Sequence, residues 1–282
     1  MSIEKWFPEA RRDKEDTSGE EWIVLEENGQ KWYLPIAQLS EREKALLQFK
    51  QVAISDNSHT NHPWYRYLVQ KKGNPPTTYK RLQMIYIEHP YALPKELFTF
   101  FKALLPNLIT VVTLSENRSL LLLNQEQPMV VEDVIQDVLP TLESDFGTKL
   151  TVFFGNCWIC VKKEDAQIYF EEEMRLFSSV KLYGGNERTS TFSELLLLNL
   201  AHASDVPTIK RTLLECIDNS KDMRDVIVML WQEQGNLAKT AQHLYIHRNS
   251  LQYKLEKFRL ASGLNVKNLN DLTLSYLLVK MS

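Results

Sequence analysis

The side chains best equipped for chemistry in this sequence sit close together: His247, Arg248, Asn249, Ser250, Gln252, Tyr253 and Lys254. Arginine can donate two parallel hydrogen bonds to guanine, and asparagine or glutamine can pair in the same way with adenine. Serine and lysine can hold phosphate oxygens. The surrounding pattern supplies a frame for them. Leu237, Ala241 and Leu244 recur at i, i+4 and i+7, and so do Leu251, Leu255 and Phe258, so two successive helices each have one apolar face. Gly235 can take the left-handed conformation that ends the preceding helix, and Asn236 can cap the next. Tyr245 and Ile246 leave room only for a tight connection. With Leu251 at the buried centre, Asn249, Gln252, Tyr253 and Glu256 fall towards the opposite side at about 100° per residue, flanked by Arg248, Ser250, Lys254 and Lys257. A short helix, a tight turn and a longer helix of about 247–259 with a polar, basic outer face form the helix-turn-helix pattern. In that pattern the second helix reads bases in the major groove of duplex DNA from its N-terminal residues. His247 is also placed to cap that helix.

The run Leu244-Tyr-Ile-His-Arg-Asn-Ser-Leu-Gln-Tyr-Lys-Leu255, with Gly235-Asn236 and Thr240-Ala241 before it, resembles the C-terminal helix-turn-helix of the PucR/CdaR family of bacterial transcription regulators. It is similar also to the Fis-type helix-turn-helix. Ser250 stands where the family has threonine and Lys254 where it has arginine. Hydroxyl and charge are kept, although lysine loses the bidentate fork. The resemblance is specific from about Asp222 onward. It implies a sequence-specific DNA-binding regulator rather than an enzyme, with double-stranded DNA and a second copy of the chain as partners, a small-molecule effector as a further partner, and no cofactor or metal.

The charge balance requires a closer reading. Over 282 residues the net charge is −3, which by itself argues against a protein coated in basic surface. From Asp222 onward eight Lys/Arg face five Asp/Glu, leaving +3 there and −6 on residues 1–221. Such segregation is expected of an acidic sensing or assembly part joined to a DNA reader. The apolar stretches around Leu108–Leu114 and Leu195–Leu198 fall far short of the roughly 18 residues of a membrane span. The first residues mix charges and lack an apolar signal core. Three cysteines are too few and too odd in number for a disulfide framework, so a cytoplasmic setting is expected.

The remaining elements define an α+β chain in three parts. Residues 1–78 read as a small hairpin-helix region. Trp22–Leu25 and Lys31–Leu34 flank Asn28-Gly29, which suits a type I′ turn, and Ser40-Glu-Arg-Glu43 is a capping box opening a helix. Residues 79–189 read β-α-β-β-α-β-α, with strands at Leu82–Glu88, Leu108–Leu114, Ser119–Asn124 and Leu150–Gly155 and helices at Lys95–Leu105, Val130–Phe146 and Glu164–Val180. This order resembles the degenerate GGDEF-like α/β domain that precedes the helix-turn-helix in that family. The hairpin turn Ser115-Glu-Asn-Arg118 lacks the glycines a cyclase needs, and Tyr183-Gly184-Gly185-Asn186-Glu187 reads as a turn and linker. Residues 190–282 are all-helical, with helices at 192–202, 207–218, 222–234, 237–244, 247–260 and 269–281.

Three other groups could carry chemistry. Cys157-Trp-Ile-Cys160 is a C-x-x-C without a second pair, so structural cysteines are the better reading and a thiol-redox sensor the alternative. His59-Thr-Asn-His62 has no third ligand nearby and reads as turn polarity. Trp64, Tyr65 and Tyr67 read as a hydrophobic anchor, and Leu195–Leu198 as a core or dimer face. A helix-turn-helix adaptor that touches only protein is the remaining alternative function.

Overall fold

The computed structural model describes residues 22–27, 30–35, 61–183, 188–201 and 206–282. Two compact units divide the chain, Met1–Thr60 and Asn61–Ser282. In the first, β1 (Trp22–Glu27) and β2 (Gln30–Pro35) pair antiparallel, with Val24 opposite Tyr33 and Leu25 opposite Trp32. The expected hairpin is present and slightly longer. Its Asn28-Gly29 turn, the charged first residues and the helix expected after Ser40 lie outside the described residues.

The second unit opens with α1 (Pro63–Leu68), in a stretch where the sequence pattern offers only an aromatic cluster. The imidazole of His62 caps it by accepting from the Trp64 amide at 3.3 Å, and Trp64, Tyr67 and Leu68 are buried. Residues 61–78 of the expected N-terminal region thus fall in the larger unit. Four strands follow: β3 (Arg81–Glu88), β4 (Leu108–Ser115), β5 (Arg118–Asn124) and β6 (Thr151–Ile159). Helix α2 (Lys95–Leu104) links β3 to β4, and α3 (Glu132–Phe146) links β5 to β6. The long helix α4 (Asp165–Tyr183) then leads to β7 (Thr189–Thr191). The sheet order is β4-β5-β3-β6-β7, antiparallel except for the parallel β6–β7 edge. The first four strands and two helices form the split β-α-β arrangement.

Side chains of β3 alternate between two cores because successive Cβ atoms point to opposite faces. Ile85 and Ile87 pack with Phe101 of α2 and Ile135 and Leu139 of α3. Met84 and Tyr86 join Phe170 and Phe177 of α4 on the other face. That second core continues without a break into the C-terminal helices α5 (Phe192–Ala201), α6 (Pro207–Asp218), α7 (Met223–Gln232), α8 (Leu237–His243), α9 (Arg248–Ser262) and α10 (Leu269–Met281). All six expected helices are present within a residue or two at each end. The junction is also polar. The Glu172 carboxylate of α4 accepts from the Thr208 and Ile209 amides at 3.0 and 2.7 Å, capping the exposed donors that begin α6.

The sequence pattern ends β6 too early. The strand does not stop at Gly155 but runs to Ile159, so Cys157 lies within it and only Cys160 follows it. The reason is pairing along its full length with β3, from Glu88↔Thr151 to Arg81↔Ile159. The three-residue β7 has no sequence signature of its own and exists because Thr189–Thr191 pairs with Val152–Phe154. The turn-like Gly184–Glu187 lies outside the described residues.

Candidate nucleic-acid interface

The helix-turn-helix is held by local chemistry at each joint. Helix α7 ends with Gln234 and Gly235 both left-handed, at φ +53° and +79°, and the Gly235 amide returns to the Leu230 carbonyl at 2.8 Å. Asn236 then caps α8: its side-chain oxygen accepts from the Ala238 and Lys239 amides at 3.1 and 3.2 Å. Thr240 and Ala241 are the buried residues of α8, and the Thr240 hydroxyl donates to the Asn236 carbonyl at 2.8 Å. A small Ala241 permits close approach to α9. The turn itself places Tyr245 at φ +52° with its side chain 96% exposed, while the Ile246 amide donates to the Ala241 carbonyl at 3.0 Å.

His247 is the N-cap of α9, with Nδ1 accepting from the Asn249 amide at 3.2 Å. That role requires an unprotonated Nδ1 and leaves Nε2 for any outside contact. Leu251, Leu255 and Phe258 are almost fully buried, each no more than 2% exposed. Their burial turns the opposite face outward. His247, Arg248, Asn249, Ser250 and Tyr253 are exposed, and Gln252 is half-buried. No acidic residue occupies the first turn of α9, so the positive end of the helix dipole is unneutralised by its own side chains.

Lys254 differs from the other six expected contact residues. Its ammonium donates to the Lys221 carbonyl at 3.2 Å and pairs with Asp222 at 3.3 Å, which ties α9 to the turn between α6 and α7. Glu256 is engaged by Arg259 of its own helix at 2.6 Å, and that hydrogen bonding holds its carboxyl below the usual range. On α8, His243 meets Glu233 at 2.9 Å. The fully projecting Tyr245 and the exposed Lys239 share the helix-turn-helix surface but were not among the expected contacts. A bulky residue in the turn, read as exposed rather than as packing, is the sequence signal for the first. The second has none beyond its charge.

The cysteine pair has a different character. Cys157, Cys160 and Cys216 are all free and half-buried. Burial pushes the Cys160 thiol up to about 12 and raises that of Cys157, against the pull of Arg81 and Arg259. Neither has the low pKa that a reactive thiolate needs. Among the described residues no group of three or more His, Cys, Asp or Glu is arranged to hold a metal ion, and His62 of the His59/His62 pair is occupied as a helix cap. No helix among them is long and apolar enough to cross a membrane.

Residues 224–281 match the family model of the PucR C-terminal helix-turn-helix domain. A protein of Streptococcus dysgalactiae subsp. equisimilis called leucine-rich protein is 36% identical over 277 residues, covering 98% of each chain. The uncharacterized protein YxkF of Bacillus subtilis (strain 168) is 24% identical over 264 residues, 89% of this chain and 88% of that one. A solved structure, the regulator of polyketide synthase expression from Bifidobacterium adolescentis, aligns over 86% of this chain and 95% of its own. Its identity is 16% and its TM-score 0.36, too distant to decide the fold. Matching the streptococcal leucine-rich protein along nearly its whole length, the chain belongs to one family with it, and at residues 224–281 it carries the PucR C-terminal helix-turn-helix domain of a transcription regulator.

Proposed function

We propose that α9 enters the major groove of double-stranded DNA as the reading helix of a sequence-specific regulator that binds as a homodimer. One observation carries this reading: the first turns of α9 expose Arg248, Asn249, Ser250 and Tyr253 without an acid while Leu251, Leu255 and Phe258 are buried. Arg248 and Asn249 address base edges. Ser250 and Tyr253 meet phosphate or sugar, and His247 and Gln252 support them from the cap and the flank. Lys254 acts from its tether to Asp222, holding the helix at the angle it presents to the groove. One short helix supplies too little affinity alone, so two copies on a palindromic site are required.

In the same reading the protein works in the cytoplasm without catalysis. Residues 1–78 and a degenerate GGDEF-like domain at 79–189 serve dimerisation or the sensing of a small molecule, and the helical part at 190–282 binds DNA.

The test is selection of bound genomic fragments with the full chain, followed by titration across salt. Specific binding whose logarithm falls linearly with log salt, weakened at least tenfold by Arg248→Ala, is the expected result. Salt-insensitive or absent DNA binding would favour an adaptor that touches only protein.

A further inference from the structure

A cavity of about 200 Å³ lies between the central sheet and the C-terminal end of α9. Its walls come from β3, β6, β7, the start of α3 and the segment joining α9 to α10. Its size is below the ~300–1,000 Å³ of drug-sized sites, so a nucleotide is excluded and a single small metabolite fits. Two guanidinium groups, Arg81 and Arg259, line it, and so do two carboxyl groups, Glu132 and Asp271.

The guanidinium groups retain donors. Arg81 donates to the Leu260 carbonyl, and Arg259 engages Glu256 through Nε and Nη2. Each still has N–H groups to offer, out of the five on a guanidinium. On the acidic side, Asp271 accepts from the Ser193 hydroxyl and, at 2.6 Å, from the Asn265 amide. The Glu132 side chain has no hydrogen bond or ion pair to any described residue although the residue is half-buried. Burial and the neighbouring Asp271 both raise its pKa. A carboxyl group so placed lacks a cation. The floor is already settled: Gln125 donates to Gln83 at 2.6 Å and to the Met129 carbonyl at 3.0 Å.

We propose that this cavity binds a free α-amino acid, its carboxylate held by Arg81 and Arg259 and its ammonium by Glu132 and Asp271. A dicarboxylate would meet two acids and a diamine two guanidinium groups, so only a zwitterion matches both ends. The inference gives the effector of the regulator reading a place and a chemical class. Its test uses no DNA, so the two readings fail separately.

The experiment is calorimetric titration of the full chain with each of the twenty protein L-amino acids at millimolar concentration. The best binder is then compared with its decarboxylated amine and its deaminated acid. One-to-one binding is expected, at least tenfold weaker for both analogues. Glu132→Gln is expected to weaken it at least tenfold while its ligand-free melting temperature stays at or above wild type, because a repulsion with Asp271 is removed. Arg259→Gln is expected to lower affinity through the carboxylate end and serves should the first variant fold poorly. Absence of binding by all twenty, an acid-only analogue that binds as tightly, or undiminished binding in both variants would each overturn the proposal.

Discussion

Asn156 of β6 donates its side-chain amide to the Ser262 carbonyl at 2.8 Å and so fastens the last turn of α9 to the central sheet. The end of a helix leaves its final carbonyls without intrahelical donors. Here three consecutive ones find partners outside the helix: Leu260 in Arg81, Ala261 in the Cys216 thiol at 3.5 Å, and Ser262 in Asn156. The helix read as addressing DNA at its first turn is therefore anchored at its last turn by residues of the sheet and of α6.

Removing this fastening has a measurable cost. Asn156→Ala leaves a buried carbonyl without its donor, which costs about 1–3 kcal/mol. Urea unfolding followed by circular dichroism should show a lower midpoint with an unchanged slope. An unchanged midpoint would show that another donor replaces the amide.

Gly263 follows α9 at φ +82°, and a Cβ built there would collide with the Asn156 side chain. Gly263→Ala combines backbone strain of about 1–2 kcal/mol with that clash. The clash disappears when Asn156 is also shortened. The double variant Gly263→Ala/Asn156→Ala should therefore be less destabilised than the sum of the two single changes. Strict additivity in a double-mutant cycle would refute the contact.

Glu173 is fully buried on α4, where it accepts from the Asn156 backbone amide at 2.8 Å, the Trp158 indole at 2.7 Å and the Tyr86 hydroxyl at 3.0 Å. Burial pushes its pKa up to about 8 despite these donors. The folded state then holds a proton that the unfolded chain, with an ordinary carboxyl near 4.5, has lost. This contribution is fully present below about pH 4.5 and is lost as pH rises to about 8, with a slope of at most about 1.4 kcal/mol per pH unit. Thermal melts between pH 5 and 8 should show wild type losing stability, while Glu173→Gln follows a flatter profile. Parallel profiles would mean that Glu173 is ionised in the fold throughout.

On the face proposed to meet DNA, Arg248→Ala and Asn249→Ala should each weaken a specific complex at least tenfold, about 1.4 kcal/mol, without moving the melting temperature, since both are exposed. Leu251→Ala should instead cost about 2–5 kcal/mol of stability, because its side chain is fully buried. If Arg248→Ala unfolds the protein, its effect on binding reports structure and not recognition.

For the cysteines, alkylation at pH 7 should be slow at Cys157 and Cys160, both raised by burial and the latter to about 12. The double serine variant should keep DNA affinity within about twofold. Rapid modification, or a readily formed bond between the two thiols, would revive the redox reading.

The elements of the helix-turn-helix were legible in the sequence because each depends on neighbours within one or two helical turns. Gly235 stops a helix, Asn236 and His247 start the next two, and Leu251, Leu255 and Phe258 define a buried stripe at the helical period. The four strands of β3 to β6 were legible for a similar local reason, as apolar runs bounded by turn residues. Lys254 shows the limit of this logic. Spacing placed it beside the outer face, but Asp222, thirty-two residues earlier, draws it towards the turn after α6. Strand β7, the continuation of β6 through Cys157, the cavity with its two guanidinium and two carboxyl groups, and the Asn156–Ser262 bond all join residues distant in the chain. Local periodicity and capping are set by the chain's own covalent spacing, so the sequence alone determined the helix-turn-helix. Partners brought together across the chain depend on which faces pack, and only the tertiary structure decided those.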